Sequence, residues 1–344
     1  MSKIVNRLLT VFLIVTGAGF AVESACAFEP FQPLPPQPPI PADNPQTEAK
    51  AALGKMLFFD RRLSVNDSLS CNSCHDLARA GSDYRPLSTG ATGLVGKRST
   101  LTLFNAAYET VYFWDGRAES LEQAVASHLL DDTVMAMPSR RQVNDRIAAI
   151  GAYAELFDRN FPGEGVTYEN ITRALASFIR TLRTPDSAFD RYLGGDKQAI
   201  SKSAKRGFRT FVDSGCGSCH FWVNLSGPVP GLAFKMGEGF YELFPNYTGT
   251  DEERRYHLTD DLGRIQVTRV ETDRRMWRVP ILRNIALTAP YFHNGSVATL
   301  DEAVRVMAKT QLGKVFSDQE LADVTAFLGT LSGKRPTITL PQLP

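Results

Sequence analysis

The sequence has almost no net charge and only one long hydrophobic run. Its 38 Lys and Arg residues nearly balance its 37 Asp and Glu residues, which leaves a formal net charge of +1 over 344 residues. Proteins that bind nucleic acid or anionic membrane surfaces usually carry a clear positive excess, so neither is expected as a partner. The apolar run, residues 8–22, lies near the N-terminus and is too short and badly flanked for a membrane span, and no second apolar segment could provide one.

The N-terminal run has the features of a secretory signal peptide. Lys3 and Arg7 precede it, and Ala25-Cys26-Ala27 follows as an A-x-A cleavage site. We therefore expect residues 1–27 to be removed after export, together with Cys26. Lipid attachment at Cys26 is the weaker alternative, because Glu23 stands three residues before this cysteine.

Cysteine and histidine are scarce, with five of each, yet the four cysteines beyond Cys26 all fall in two copies of one motif. Both copies read C-x-x-C-H, the attachment signature of a c-type haem. In this motif the cysteines bond to haem vinyl groups and the histidine binds the iron from one side. We therefore predict two covalently bound haem c groups and no disulfide. The residues that hold them are Cys71, Cys74 and His75 for the first haem and Cys216, Cys219 and His220 for the second.

Covalent haem attachment takes place on the outer side of the bacterial inner membrane. Together with the signal peptide, the two motifs predict a periplasmic protein.

A proline-rich segment, residues 28–45, precedes a mostly helical chain. It contains eight prolines between residues 30 and 45, which predicts an extended strap rather than a packed element. Apolar residues at helical spacing predict helices over residues 47–59, 141–161, 168–182, 203–212, 300–307 and 318–331. Strand-like runs are few, and residues 222–275 are predicted as a long polar loop. The expected fold class is all-α, with one haem domain over residues 46–185 and a second over residues 186–344.

The two halves share an ungapped internal repeat. When Asn105 is placed on Asn284, an offset of 179 residues, identical residues meet at several further positions, among them six pairs between residues 112 and 125. We therefore predict two cytochrome c-like modules related by duplication. At the same offset His128 falls on Met307, and both residue types can bind haem iron. The six pairs are Tyr112–Tyr291, Phe113–Phe292, Gly116–Gly295, Leu121–Leu300, Ala124–Ala303 and Val125–Val304.

Met307 and His128 are therefore candidates for the open faces of the two haems. Methionine raises a haem potential, which suits a His220/Met307 haem to accept electrons from a small donor protein. Core packing is the alternative for Met307, and Met236 and Met276 are rival ligands. Three states are open for His128: an iron ligand that closes the site, a distal acid–base group, or a buried histidine bonded to a carbonyl group.

Several short segments occur in an order that is typical of one family. They are Leu53-Gly54-Lys55-Met56-Leu57-Phe58-Phe59-Asp60, Leu63-Ser64, Phe113-Trp114-Asp115-Gly116-Arg117, Leu282-Arg283-Asn284, Ala289-Pro290-Tyr291-Phe292-His293, Gly333-Lys334 and Pro341-Gln342-Leu343-Pro344. Over essentially the whole mature chain, the sequence resembles the bacterial di-haem cytochrome c peroxidases, including their MauG branch. The resemblance implies a two-domain α-helical oxidoreductase with one haem in each domain.

The resemblance also implies roles for individual residues. Met307 matches the methionine ligand of the peroxidases, where the MauG branch has tyrosine. Trp114 matches a tryptophan that lies between the haems and assists electron transfer, with a core aromatic as the alternative, and His293 matches a residue near the second haem. A calcium ion is implied at Thr288 and Pro290. Its third position is Asn in the family but Ser99 here, which leaves calcium open because a hard cation needs several oxygen ligands.

Two departures from the family concern the first haem. Gated peroxidases close this haem with a loop histidine after the first motif, but residues 76–100 contain no histidine. The distal glutamate of the family falls at Val134 or Met135, and neither is a carboxylate. We therefore expect His128 either to replace the glutamate or to close the site.

The leading interpretation is a periplasmic enzyme that reduces hydrogen peroxide at the His75 haem. Electrons enter at the His220/Met307 haem from a small cytochrome c or copper protein and pass near Trp114. One alternative is peroxide-dependent oxidation of residues in a partner protein, as in the MauG branch. The other is a non-enzymatic electron-transfer or redox-sensing cytochrome, if His128 binds the iron permanently. A monomer and a homodimer are both compatible with the sequence.

Overall fold

The computed structural model of the protein describes residues 30–227 and 240–344. The predicted signal peptide and the rival ligand Met236 lie outside the described residues. The described chain is mostly helical and has one small antiparallel sheet, in which β1 (Tyr241–Leu243) pairs with β2 (Met276–Arg278). None of its helices is both long and apolar enough to span a membrane. The helices are α1 (Glu48–Phe59), α2 (Leu121–Leu130), α3 (Arg140–Ala148), α4 (Gly151–Asn160), α5 (Tyr168–Ile179), α6 (Ala188–Leu193), α7 (Lys202–Asp213), α8 (Asp251–Arg255), α9 (Ile265–Thr268), α10 (Leu300–Leu312) and α11 (Asp318–Gly329).

Most of the predicted helices are present, and two predictions need correction. The single helix predicted over residues 141–161 is wrong, because α3 and α4 are separated by Ala149 and the extended residue Ile150. Both helices bury apolar side chains on one face, so the helical spacing continues across the break. The loop predicted over residues 222–275 contains β1, α8 and α9. Helix α10 runs past the predicted end at Met307 to Leu312, where Gly313 adopts a left-handed conformation and ends it.

In each half, the helix that leads to the C-x-x-C-H motif crosses a later helix at a glycine. A Cβ atom on Gly54 of α1 would lie 1.9 Å from the carbonyl oxygen of Ala174 in α5. A Cβ atom on Gly207 of α7 would lie 1.8 Å from the carbonyl oxygen of Asp323 in α11. Only hydrogen fits at these positions, so the backbones of the paired helices are in direct contact.

The buried hydrophobic residues form several clusters. The largest draws its members from residues 53–182, a second from residues 189–331 and a third from residues 244–306. A few side chains of one half pack against a cluster of the other half. Leu287 and Ile338 pack against the first cluster, and Trp114 packs against the third.

The aligned loops of the internal repeat have the same backbone geometry. Asn105 and Asn284 both have φ of 63° and ψ of 10° and each precedes a 3₁₀ turn. Phe113 and Phe292 have φ of 70° and 69°, a left-handed conformation that is rare for large side chains. Both asparagine side chains donate to the hydroxyl of Thr184, at 2.7 and 2.9 Å. One threonine between the halves therefore holds both loops.

The proline-rich segment contacts both halves without forming a helix or strand over residues 30–45. The backbone N–H of Leu34 donates to Asp190 at 3.1 Å, and Leu34 is buried. Further along, the side chain of Asn44 donates to Glu122 at 2.6 Å.

The C-terminal segment runs back over the N-terminal half in the same extended manner. Arg335 donates to the carbonyl oxygen of Ala78 at 3.0 Å, and Arg62 donates to the carbonyl oxygen of Pro344 at 3.0 Å. The C-terminal segment therefore covers residues just beyond the first C-x-x-C-H motif.

Replacing Gly207 by alanine is expected to destabilise the protein, because the added methyl group forces α7 away from α11. Overpacking of this kind costs about 1–3 kcal/mol, and more where backbone has to move. Gly329→Ala is the matched control, since no atom lies within 4 Å of its added Cβ. Urea denaturation of the two variants measures the difference, and equal midpoints would show that the crossing is not tightly packed.

The stability of the α7–α11 pair is expected to depend on pH through Asp323. Hydrogen bonds from Arg206 and Ser203 lower the pKa of Asp323 to about 2. Because the folded pKa is below the ordinary value of 3.8, the contribution is complete above about pH 4 and is lost as the pH falls towards 2. Asp323→Asn should therefore lower the urea midpoint at pH 7 and approach the wild type at about pH 2.5. A difference that is the same at both pH values would rule out this carboxylate as the cause.

Candidate haem sites

A large, mostly apolar cavity in the C-terminal half brings the predicted residues of the second haem together. Cys216, Cys219, His220 and Met307 all line it. Helix α7 ends shortly before a 3₁₀ turn at Cys216–Ser218, and α10 supplies Met307. Neither cysteine forms a disulfide bond. A cavity bordered by two thiols, an imidazole and a thioether fits a haem c. Other lining residues are Phe211, Leu282, Ile285, Val304 and Leu328.

His220 is held in the state in which a histidine binds a metal. Its Nδ1 donates to the carbonyl oxygen of Leu225 at 2.8 Å, so Nε2 carries the free lone pair. Burial lowers the pKa of His220 to about 4, so the ring is neutral at pH 7. A bonded Nδ1 is the usual orienting contact of a metal-bound histidine.

Of the rival methionines, Met276 lies on β2 and does not line the cavity, whereas Met307 does. Met307 therefore borders the same cavity as His220, whereas Met276 does not.

The first C-x-x-C-H motif forms a turn of the same kind. Residues Cys71–Ser73 are a 3₁₀ turn, and the backbone N–H of His75 donates to the carbonyl oxygen of Cys71 at 3.0 Å. His220 makes the same bond to Cys216, also at 3.0 Å. Nδ1 of His75 lies 3.3 Å from the carbonyl oxygen of Gly81, and removal from solvent lowers the pKa of His75 to about 4. His75 is therefore neutral, and Nδ1 is the nitrogen that faces a carbonyl.

His128 lies close to His75, with ring centroids 6.0 Å apart and ring planes at 67°. Nδ1 of His128 donates to the carbonyl oxygen of Ala124 at 2.7 Å, one turn earlier in α2. Desolvation lowers the pKa of His128 as well, so its Nε2 is an unprotonated nitrogen. Two imidazoles that bind one metal from opposite sides, each over about 2 Å, have centroids about 6 Å apart. The observed spacing therefore fits one iron between the two rings.

One predicted state of His128, a hydrogen bond to a carbonyl group, is thus present. It involves only Nδ1 and leaves Nε2 available. The residues at the glutamate position offer no proton-exchanging group, since Val134 and Met135 both pack with the first hydrophobic cluster. The carboxylate of Asp131 is occupied by the N–H and hydroxyl of Thr133, at 2.8 and 2.7 Å. Of these residues, His128 is the one whose ring faces His75.

Trp114 lies at the second cavity. Its ring lines the second cavity, and its Nε1–H donates to the carbonyl oxygen of Ser99 at 2.8 Å. The preceding residue, Phe113, stacks on His128 with centroids 5.1 Å apart. One dipeptide therefore contacts the second cavity and the first site.

His293 is the centre of an aromatic group beside the second cavity. Its ring stacks on Trp277 with centroids 4.2 Å apart and planes at 19°, and it meets Trp114 edge-on at 6.4 Å. Burial lowers the pKa of His293 to about 4, and the side chain is 2% exposed. The guanidinium of Arg98 lies 4.8 Å from the Trp277 ring centroid. Sequence reasoning missed Trp277 and Arg98, because neither belongs to a motif or a periodic apolar face.

The three positions predicted for calcium also line the cavity, namely Ser99, Thr288 and Pro290. The carbonyl oxygen of Ser99 already accepts the Trp114 N–H, and the hydroxyl of Thr288 donates to Ile285 at 3.2 Å. Within residues 30–227 and 240–344, no group of three or more His, Cys, Asp or Glu side chains is arranged to hold a metal ion. Calcium binding therefore stays a prediction that depends on backbone oxygens.

A helical chain with two such C-x-x-C-H sites has the form of a di-haem c-type cytochrome. A family model described as di-haem cytochrome c peroxidase matches residues 48–198. The cytochrome c551 peroxidase of Pseudomonas aeruginosa is 38% identical over 303 residues, which cover 87% of this chain and 83% of that protein. The cytochrome c551 peroxidase of Nitrosomonas europaea is 37% identical over 344 residues, which cover 99% of this chain and 96% of that protein.

Among solved structures, the crystal structure of a MauG-like protein associated with microbial copper homeostasis matches with a TM-score of 0.76. It is 30% identical and covers 87% of this chain and 93% of that one. The chain belongs to the di-haem cytochrome c peroxidase family, which confirms the resemblance found in the sequence. It is therefore an enzyme of a family that uses two haem c cofactors.

Met307→Leu is expected to lower the reduction potential of the second haem in the holoprotein, because leucine cannot donate a thioether to the iron. The shift should be on the order of 100 mV, within the range of about 0.8 V over which axial ligands set haem potentials. Potentiometric titration of the holoprotein measures it, with Met276→Leu as the matched control. A shift in the control and none in Met307→Leu would assign the ligand to Met276.

Proposed function

We propose that this protein reduces hydrogen peroxide at an N-terminal haem with electrons delivered through a C-terminal haem. Membership of the peroxidase family supports the reaction. We assign the reaction to the N-terminal half because of His128, whose ring centroid lies 6.0 Å from that of His75. The motif histidine of the first site therefore has a second imidazole beside it.

The proposal includes two haem domains, over residues 46–185 and 186–344, related by duplication. It is supported by the matching loops around Phe113 and Phe292 and by the glycine crossings at Gly54 and Gly207. Each domain attaches one haem covalently, through Cys71 and Cys74 in the first and Cys216 and Cys219 in the second.

The bound haems supply the redox centres that store electrons and break the O–O bond. The overall reaction consumes one hydrogen peroxide, two electrons and two protons and gives two water molecules. The chain has to bind the metal, admit peroxide and move a proton. His75 and His220 would each hold one haem iron, and Met307 would supply the second iron with a thioether, a ligand that favours the reduced state.

The proton transfer is assigned to His128. Breaking the O–O bond requires a proton to move from the inner to the outer oxygen, so that water can leave. Nδ1 of His128 is bonded to Ala124, so the transfer must use Nε2. The same atom is the one that can bind the iron, and the two uses exclude each other. His128 would therefore either hold the iron or exchange protons through Nε2, and a closed resting site would require it to leave the metal before it acts as an acid–base group.

Electrons reach the first haem past Trp114, which lines the second cavity and directly follows Phe113, the residue that stacks on His128. A small cytochrome c or copper protein is the proposed donor, in the periplasm, after removal of the signal peptide. Oxidation of a partner protein is less well supported, because Met307 stands where the MauG branch has tyrosine.

A second candidate function is electron transfer without peroxide chemistry. The spacing of His75 and His128 favours it, since a ligand that never leaves the iron keeps peroxide out. The absence of a histidine from residues 76–100 favours neither function. This segment cannot supply the loop histidine that closes the first haem of gated peroxidases, but its absence does not by itself open the site.

Low-temperature EPR of the oxidised holoprotein, repeated after addition of one electron per molecule, separates the two functions. A high-spin ferric signal after half-reduction, with peroxide turnover by a reduced small cytochrome c, supports the peroxidase. Low-spin ferric signals alone, from both haems in the oxidised state and from the remaining ferric haem after half-reduction, without turnover, would overturn it in favour of electron transfer. His128→Ala should make the first haem high-spin in every state, whereas the control His257→Ala, at an exposed histidine, should change nothing.

A further inference from the structure

The ring of Phe113 is placed between His128 and a cation. It stacks on the His128 ring with centroids 5.1 Å apart and planes at 22°. The guanidinium carbon of Arg117 lies 3.5 Å from the centroid of the Phe113 ring. Arg117 is in turn bonded to the carboxylate of Asp115 at 3.1 and 3.2 Å. The contact fixes the orientation of the His128 ring, since an aromatic stack restricts rotation of both side chains.

The backbone of Phe113 is held from the C-terminal half of the chain. Its φ of 70° is unusual for a large side chain, so it needs support from its surroundings. Nε of Arg278 donates to the carbonyl oxygen of Phe113 at 3.0 Å, and the backbone N–H of Arg278 donates to the carbonyl oxygen of Trp114 at 2.9 Å. Arg278 is itself buried and ion-paired with Glu109.

The internal repeat contains the same loop, but Met307 stands at the position of His128 in the helix that follows it. Phe292 has φ of 69° and stacks on Phe244, with centroids 5.4 Å apart and planes at 9°. Both Phe292 and Phe244 line the second cavity. The loop therefore presents an aromatic ring in each half, which stacks on the candidate ligand His128 in the N-terminal half and on Phe244 in the C-terminal half.

We propose that Phe113 is a positioning residue for His128. It keeps the imidazole directed at His75 and so sets the fraction of molecules in which the first haem is closed. Because Arg278 anchors Phe113, the C-terminal half contributes to the closure of the N-terminal site. This inference rests on the proposed function, in which His128 faces the first iron.

The test measures the closed fraction directly in the oxidised holoprotein. Phe113→Leu keeps an apolar side chain but loses the stack, and it should raise the high-spin fraction of the first haem. The rate of cyanide binding should rise on the order of tenfold, which corresponds to the stabilisation that one aromatic contact contributes. Phe113→Tyr retains the ring and should restore the wild-type values. Phe292→Leu is the matched control, with the same backbone strain, and should leave the first haem unchanged.

Comparison with His128→Ala distinguishes a failure of this inference from a failure of the proposed function. If His128→Ala leaves the spectrum of the first haem unchanged, His128 does not face the iron and the proposed function fails. If His128→Ala opens the haem but Phe113→Leu matches the wild type, or Phe292→Leu opens it equally, only the positioning role is overturned. The double variant Phe113→Leu/His128→Ala should bind cyanide no faster than His128→Ala, since Phe113 acts through His128.

Discussion

The chemistry of both sites depends on one kind of contact, a hydrogen bond from Nδ1 of a histidine to a backbone carbonyl. His220 makes it to Leu225 and His128 makes it to Ala124, while Nδ1 of His75 faces Gly81. The bond fixes the tautomer and leaves Nε2 as the reactive atom. Because these rings are also withdrawn from water, they stay neutral at pH 7 and have a free lone pair for a metal or a proton.

A ligand on a helix moves differently from a ligand on a loop. His128 is part of α2 and is bonded to a carbonyl of the same helix, so as an iron ligand it would be able to leave the metal only by side-chain rotation or by a shift of the helix. The segment after the first motif is not free to replace it. Arg98 joins this segment to Asp261, at 2.8 Å, and to Asp115, and the backbone N–H of Ser99 donates to the carbonyl oxygen of His293 at 2.7 Å. In the proposed function, the ligand that exchanges would therefore lie on α2, while the segment after the first motif stays fixed.

Local patterns in the sequence predicted much of this arrangement. The two motifs identified six site residues, and the offset of the repeat alone paired His128 with Met307. The stack of Trp277 on His293 and the anchoring of Phe113 by Arg278 could not be predicted, because they join residues that are far apart or belong to no periodic pattern. The break at Ile150 was missed because α3 and α4 each bury apolar side chains on one face. The helical spacing of these side chains continues across the break, so the sequence predicts a single helix.

The C-terminal segment has a consequence for how the protein is assembled. Arg335 bonds to the carbonyl oxygen of Ala78, and Ile338 packs against the first hydrophobic cluster. The surface of the N-terminal half is therefore completed by residues that are synthesised after the whole C-terminal half. The first half reaches its final packing only when this segment arrives. Packing around the first C-x-x-C-H motif is thus linked to completion of the second half.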